Sequence, residues 1–141
     1  MKNTFPVVLL LIACGDDPVD SGEVSTETIE NQGSACIASD SDDNADTALV
    51  TVMLSDCLPS CSWGEEATCT ASTEDGIVTV TASGTYAVGY ADPTVDCPSI
   101  CIPLEASCEA NGLAKGKFAL EYAGVSATFT GPVTETICTT P

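Results

Sequence analysis

The sequence predicts an all-β protein, a small β-sandwich stapled by disulfide bonds. Short apolar segments with a period of two follow one another after about residue 48, and no long segment has helical periodicity. Nine cysteines in 141 residues are typical of small domains from oxidising compartments, where disulfides supplement a limited core. The hydrophobic fraction of 44% favours a folded domain in spite of the net charge of -18.

Alternation of apolar and polar residues identifies the individual strands. In residues 78–82, two valines and an alanine share one face and two threonines share the other. The same alternation occurs in residues 86–90, 118–122 and 125–129, and the more continuous apolar run at 48–54 predicts a central strand. Five glycines are expected in turns: Gly76, Gly84, Gly89, Gly116 and Gly124. About seven short strands in about 100 residues are typical of a β-sandwich.

The opening residues have the features of a secretory signal peptide. Lys2 precedes an apolar run over residues 5–12, which is too short to span a bilayer. Leu11-Ile12-Ala13-Cys14 resembles the lipobox of bacterial lipoproteins, in which the cysteine is lipidated and becomes the first residue of the mature chain. The resemblance implies that Cys14 anchors the protein in the bacterial cell envelope. Gly15 stands where an aspartate would favour the inner membrane, so the outer membrane is favoured.

The chain is expected to have three parts. Residues 1–13 form the signal peptide, residues 14–34 form the lipidated cysteine and an acidic flexible linker, and residues 35–141 form the cysteine-rich β-sandwich domain. The linker is rich in small and acidic residues, which repel one another and offer little apolar surface to bury.

An acidic stretch at residues 40–46 has part of the ligand spacing of an EF-hand loop. The sixth position is Ala45 instead of glycine and the twelfth is Thr51 instead of glutamate, so the EF-hand assignment fails. A weak, looser Ca²⁺ site remains an alternative to a solvated acidic loop, which is the favoured interpretation. Its candidate ligands are Asp40, Asp42, Asp43 and Asp46.

Eight cysteines remain once Cys14 is assigned to lipid, and an even number is what disulfides require. They are Cys36, Cys57, Cys61, Cys69, Cys97, Cys101, Cys108 and Cys138. Residues 56–69 and 96–108 share Asp-Cys-x3-Cys followed by a third cysteine, which predicts an internal duplication of a stapled strand pair. Zinc is disfavoured because the chain has no histidine.

The sequence does not determine the disulfide pairing. Two local links are the working hypothesis, Cys61 to Cys69 and Cys101 to Cys108. Cys36 and Cys138 are then each expected to fasten a terminus to a nearby strand.

One short segment resembles a known type of domain. "SGTYAV" at residues 83–88 resembles the Gly-x-Tyr-x-Val strand of bacterial immunoglobulin-like domains, in which the tyrosine packs at a sheet corner. "KGKFAL" at residues 115–120 is a looser version with Phe118 in place of the tyrosine. The resemblance implies an immunoglobulin-like architecture and carries no ligand site.

Catalytic motifs are missing from the sequence. Without histidine there is no Ser-His or Cys-His pair, and no P-loop, dinucleotide fingerprint or nucleophile elbow occurs. Glu65 and Glu66 are adjacent, and neighbours on a strand point to opposite faces, so they make a poor acid/base pair. No catalytic residue and no cofactor are therefore predicted.

The charge and the anchor define the expected partners. Only three basic residues oppose 21 acidic ones, which excludes nucleic-acid binding. The leading hypothesis is a surface or periplasmic lipoprotein that contacts the membrane through its lipid and has a binding or structural role, with a protein or glycan partner left open. The alternatives are a Ca²⁺-dependent envelope module and a small subunit of an envelope protein complex.

Overall fold

The computed structural model describes residues 24–40, 44–89, 96–97 and 99–140. Within these ranges the chain forms nine strands and no helix, which confirms the predicted all-β class. The strands are β1 (Ser25–Glu30), β2 (Ser34–Ser39), β3 (Thr47–Ser55), β4 (Ser62–Glu74), β5 (Ile77–Val88), β6 (Leu104–Asn111), β7 (Gly116–Tyr122), β8 (Val125–Gly131) and β9 (Ile137–Cys138).

The strands form two sheets that enclose a core. In the first sheet, β4 and β5 form an antiparallel hairpin. The other edge of β5 pairs with β1 near the carboxyl end of β5 and with β7 near the amino end of β5. β8 then pairs with β7. The second sheet has the order β6-β3-β2-β9. Side chains from both sheets belong to one apolar cluster, so the predicted disulfide-stapled sandwich is present.

Burial follows the predicted alternation. Val78, Val80 and Ala82 are buried on the inner face of β5, whereas Thr79 and Thr81 are exposed. The central strand β3 also alternates, although its sequence is nearly continuous in apolar residues. It packs on the core through one face only, as half-buried sheets do.

Gly84 is not in a turn, contrary to the sequence prediction. It lies within β5, which runs without interruption through two segments predicted as separate strands. A Cβ atom at Gly84 would stand 2.7 Å from Leu104 Cδ2 and 3.0 Å from Leu54 Cδ1. The glycine therefore permits close packing between the sheets, while Gly76 and Gly124 occupy turns with φ angles of 79°.

The ordered sheet begins earlier than the predicted domain boundary at residue 35. β1 lies within the segment expected to be a flexible linker, and its six residues pair with residues 83–88 of β5. Only Ile29 packs against the core. Backbone hydrogen bonds to an available strand edge hold this segment, and hydrophobic periodicity does not report such bonds.

The chain crosses from the first sheet to the second directly after β1. Asn31 has a left-handed φ of 44°, donates its backbone N–H to Ala82 O at 2.9 Å and accepts the Ala82 N–H on Oδ1 at 2.9 Å. The Tyr122 hydroxyl donates to Gln32 O at 2.8 Å. The crossing is therefore bonded to both β5 and β7.

Candidate functional site

Four disulfides join all eight cysteines that follow Cys14. Their Cα atoms are 4.0, 4.6, 5.0 and 5.6 Å apart in Cys36–Cys138, Cys57–Cys101, Cys61–Cys97 and Cys69–Cys108, respectively. The predicted local links are wrong. β4 is extended, so it carries Cys69 about 25 Å away from Cys61, and β6 separates Cys101 from Cys108 in the same manner.

The Cys36–Cys138 disulfide fastens the C-terminal strand to β2. The two cysteines are register partners in neighbouring strands, and Thr139, directly after Cys138, is buried. The Thr139 N–H donates to Ala35 O at 2.8 Å, and Ala35 N–H donates to Thr139 Oγ1 at 3.0 Å. Cys36 and Cys138 thus bond to each other, whereas the prediction had each of them fasten a terminus to a nearby strand.

Two disulfides connect a pair of loops that we call the Cys loops, residues 56–61 and 96–103, of which residue 98 lies outside the described part. The first cysteine of each Cys-x3-Cys sequence bonds to the second cysteine of the other. Leu58 N–H donates to Ile102 O at 2.8 Å, Leu58 is buried, and Ile102 packs against the core. The reciprocal bonds hold the two loops together as a single layer.

The Cys loops cover a part of the first sheet that the second sheet does not reach. Leu54 and Leu104, close to the ends of β3 and β6, pack against Gly84. β5 continues for four residues beyond Gly84, and Tyr86 in that extension is buried in the same cluster as Leu58. The loops therefore replace a second sheet over this end of the sandwich.

The sequence repeat does not produce two copies of one structural unit. β4 and β5 form a hairpin within the first sheet. β6, the equivalent of β4, pairs with β3 in the second sheet, whereas β7 pairs with β5 and β8 in the first. The predicted second strand pair is not formed, and the similarity of the repeats lies in the reciprocal Cys loops.

Within the acidic segment, Asp46 makes a structural contact. Asp42 and Asp43 lie outside the described residues. Asp46 accepts the Leu113 N–H on its carbonyl oxygen at 3.0 Å and the Ala114 N–H on Oδ1 at 3.2 Å. These bonds hold the connection between β6 and β7. Among the described residues, no three Asp, Glu, Cys or His side chains are grouped as metal ligands.

Glu65 and Glu66 lie in β4 and are both exposed. The pairing with β5 shifts between Trp63 and Glu66, and Gly64 has a φ of 63° at this bulge. Glu65 and Glu66 are thus strand residues at a bulge, and neither of them lines the grooves described below.

An array of hydroxyl groups that was not predicted from the sequence lies on the outer face of the first sheet, the face turned away from the core. Three alternate cross-strand pairs of β4 and β5, which share this face, are Thr68–Ser83, Thr70–Thr81 and Ser72–Thr79. The hydroxyls of Thr70 and Thr81 are hydrogen bonded at 2.8 Å. These hydroxyl residues could have been found in the sequence, because they are the polar residues that alternate with the apolar residues of the core face.

Several grooves lie on the first sheet. One, of about 270 Å³, is lined mainly by the hydroxyl array together with Glu30 and Asn31. Another, of about 530 Å³, lies beside the stacked rings of Phe118 and Phe129, and Lys117 is the only charged residue that lines it.

Tyr122, a core residue in the described part of the chain, has a shifted pKa. Burial raises the pKa of the Tyr122 hydroxyl above its ordinary value of 10.0. The hydroxyl donates a hydrogen bond within the protein, so its role is structural.

No protein-family model, curated protein or solved structure matched the chain. Cys14 lies outside the described residues. Within the described ranges, no helix has the length and apolar character needed to cross a bilayer.

Proposed function

We propose that this chain is a bacterial lipoprotein held at the outer membrane by lipid on Cys14, with an immunoglobulin-like domain that has a binding or structural role in the cell envelope. The observation that carries the proposal is the complete pairing of the other eight cysteines. Cys14 is left over, and it stands directly after the apolar run that resembles a lipobox signal. Two or three acyl chains on this residue would give stable anchoring.

The residue types present in the chain support a non-catalytic role. The chain has no histidine, and the three cross-strand pairs of the hydroxyl array consist of neutral side chains. A dense set of disulfides supports a small domain that functions outside the reducing cytosol. Binding or structural support in the envelope is therefore the function we infer.

Membrane fractionation of the Cys14→Ser variant tests the anchor. Wild-type protein should remain with membranes after high-salt washing, and the variant should be released because it lacks the thiol that forms the thioether. Ser21→Ala is a matched control outside the lipobox and should fractionate like wild type. Mass spectrometry of the N-terminal peptide should find acyl chains on Cys14. Retention of Cys14→Ser in washed membranes would contradict the proposal.

A further inference from the structure

The described chain begins at the end of the sandwich that carries the Cys loops. Ser25 pairs with Val88 at the end of β5, and Val88 pairs with Ser62 at the start of β4. Gly89, the next residue, donates its N–H to Cys61 O at 3.3 Å. Val24 therefore enters the domain beside the Cys loops, and we call this region the Cys-loop end.

Three of the large apolar side chains that the domain exposes lie at this end. Val24 is 49% exposed, Trp63 is 38% exposed and Ile100 is 61% exposed. Trp63 lies at the start of β4, two residues after Cys61, and Ile100 adjoins Cys101 in the second Cys loop, so both side chains lie close to the disulfides that join the loops. Tryptophan with an apolar body and a polar N–H is favoured at the boundary between lipid and water.

The length of the segment that precedes Val24 limits how the domain can meet a membrane. Ten peptide steps separate Cys14 from Val24, and fully extended they reach about 35 Å. The 13 residues of β4 carry the far turn at Asp75 and Gly76 about 40 Å from the Cys-loop end. If the strands stand perpendicular to the bilayer, a domain anchored at Cys14 therefore cannot rest on the bilayer through that far turn, because the segment before Val24 is too short. The outer face of the first sheet carries hydroxyl groups, which do not enter lipid readily.

We propose that the Cys-loop end is a membrane-docking surface, with Trp63 and Ile100 inserted into the lipid interface beside the anchor. The inference rests on the proposed lipidation of Cys14. Docking orients the domain so that the turn between β4 and β5 points away from the bilayer. The exposed Asp56, Glu65 and Asp96 at the same end would be repelled by anionic headgroups, so the surface suits zwitterionic lipid.

The fluorescence of Trp63 tests docking directly, because Trp63 is the only tryptophan in the chain. Lipidated wild-type protein is reconstituted in phosphatidylcholine vesicles, with and without bromine on the acyl chains near the headgroups. Docking should shift the emission to shorter wavelength and cause a loss of intensity in brominated vesicles. Ile100→Ser should lower that loss, whereas the matched Ile77→Ser variant, 38% exposed at the far turn, should leave it unchanged.

The outcomes separate docking from anchoring when the mass of Cys14 is measured on the same samples. Lipidated Cys14 with no loss of Trp63 emission in brominated vesicles would overturn docking and leave the anchor intact. An equal decrease in quenching for Ile77→Ser and Ile100→Ser would also overturn docking at the Cys-loop end. Unmodified Cys14 would overturn the anchor and the docking proposal together.

Discussion

Cys69 and Cys108 are bonded to each other between the two sheets, with their Cα atoms 5.6 Å apart. Cys69 belongs to β4 in the first sheet, and Cys108 belongs to β6 in the second. Both pack against the core, and both strands lie at an edge of their sheets. The disulfide therefore closes one side of the sandwich, where no backbone ladder connects the sheets.

Removal of this disulfide should destabilise the domain strongly. The double variant Cys69→Ala/Cys108→Ala avoids a leftover thiol, and its free energy of unfolding should be about 2–5 kcal/mol lower than that of wild type. Urea unfolding measures the loss. Thr68→Ala, at a neighbouring exposed position of β4, is the control and should change stability little. A double variant as stable as wild type would contradict the assigned role.

All eight cysteines should alkylate only after reduction. Digestion of the unreduced protein should release peptides in which Cys57 is linked to Cys101 and Cys61 to Cys97, because the loops bond reciprocally. EDTA should leave stability unchanged, whereas reductant should lower it, the opposite of a zinc-dependent fold. Labelling of two or more cysteines in the denatured, unreduced protein would contradict the model of four disulfides.

Gly84→Ala should destabilise the domain through overpacking. The new methyl group would stand 2.7 Å from Leu104 Cδ2 within a buried contact between the sheets, and such insertions cost about 1–3 kcal/mol. Ser83→Ala, the preceding exposed residue, is the control. Adding Leu104→Val to Gly84→Ala should recover part of the loss, which a double-mutant cycle in urea measures. Additive effects of the two substitutions would show that the clash is not with Leu104.

Tyr122→Phe should lower stability by about 1 kcal/mol, because it leaves the carbonyl of Gln32 without its hydroxyl donor. The raised pKa of Tyr122 also predicts a pH dependence. The folded domain favours the neutral phenol. The contribution of this preference to the free energy of unfolding is therefore complete below pH 10.0, and it is lost as the pH rises through the raised pKa of Tyr122.

Urea unfolding between neutral and alkaline pH measures both effects. Tyr122→Phe should lose less stability than wild type at alkaline pH, and Tyr86→Phe, in the same core, is the matched control. An identical alkaline loss in wild type and Tyr122→Phe would contradict the assignment.

Asn31→Ala should destabilise the crossing between the sheets by about 1–3 kcal/mol, since the N–H of Ala82 would lose its acceptor. Asn31→Asp keeps an acceptor oxygen and should stay closer to wild type. Glycine adopts a φ of 44° without strain, so the loss of stability in Asn31→Gly reports the missing side-chain hydrogen bond. Hydrogen exchange of the Ala82 amide is the second measurement. Unchanged protection of that amide in Asn31→Ala would contradict the role.

The sequence predicted those features that local patterns encode. Alternation located β5, β7 and β8, because the inner face of each strand must be apolar to form the core, and a nearly continuous apolar run located β3. β1 was missed because it is held by backbone hydrogen bonds to the edge of β5, which the side-chain pattern does not report. Gly84 was assigned to a turn because a glycine required by close packing looks the same in sequence as a glycine required by a turn. The pairing of Cys57 with Cys101 depends on long-range topology, which spacing does not specify.

The acidic segment should bind Ca²⁺ no more tightly than about millimolar, the range of weak extracellular modules. Asp46 Oδ1 already accepts the Ala114 N–H, and the loop lacks the glycine and the closing glutamate of a tight EF-hand. Asp46→Ala should therefore lower stability by about 1 kcal/mol in Ca²⁺ and in EDTA alike, because it removes a hydrogen bond and not a metal ligand. Asp46→Asn retains Oδ1 and should remain near wild type. Calorimetric titration with Ca²⁺ and urea unfolding with and without EDTA measure the two effects. A micromolar isotherm that Asp46→Asn abolishes would show that this carboxylate is a metal ligand.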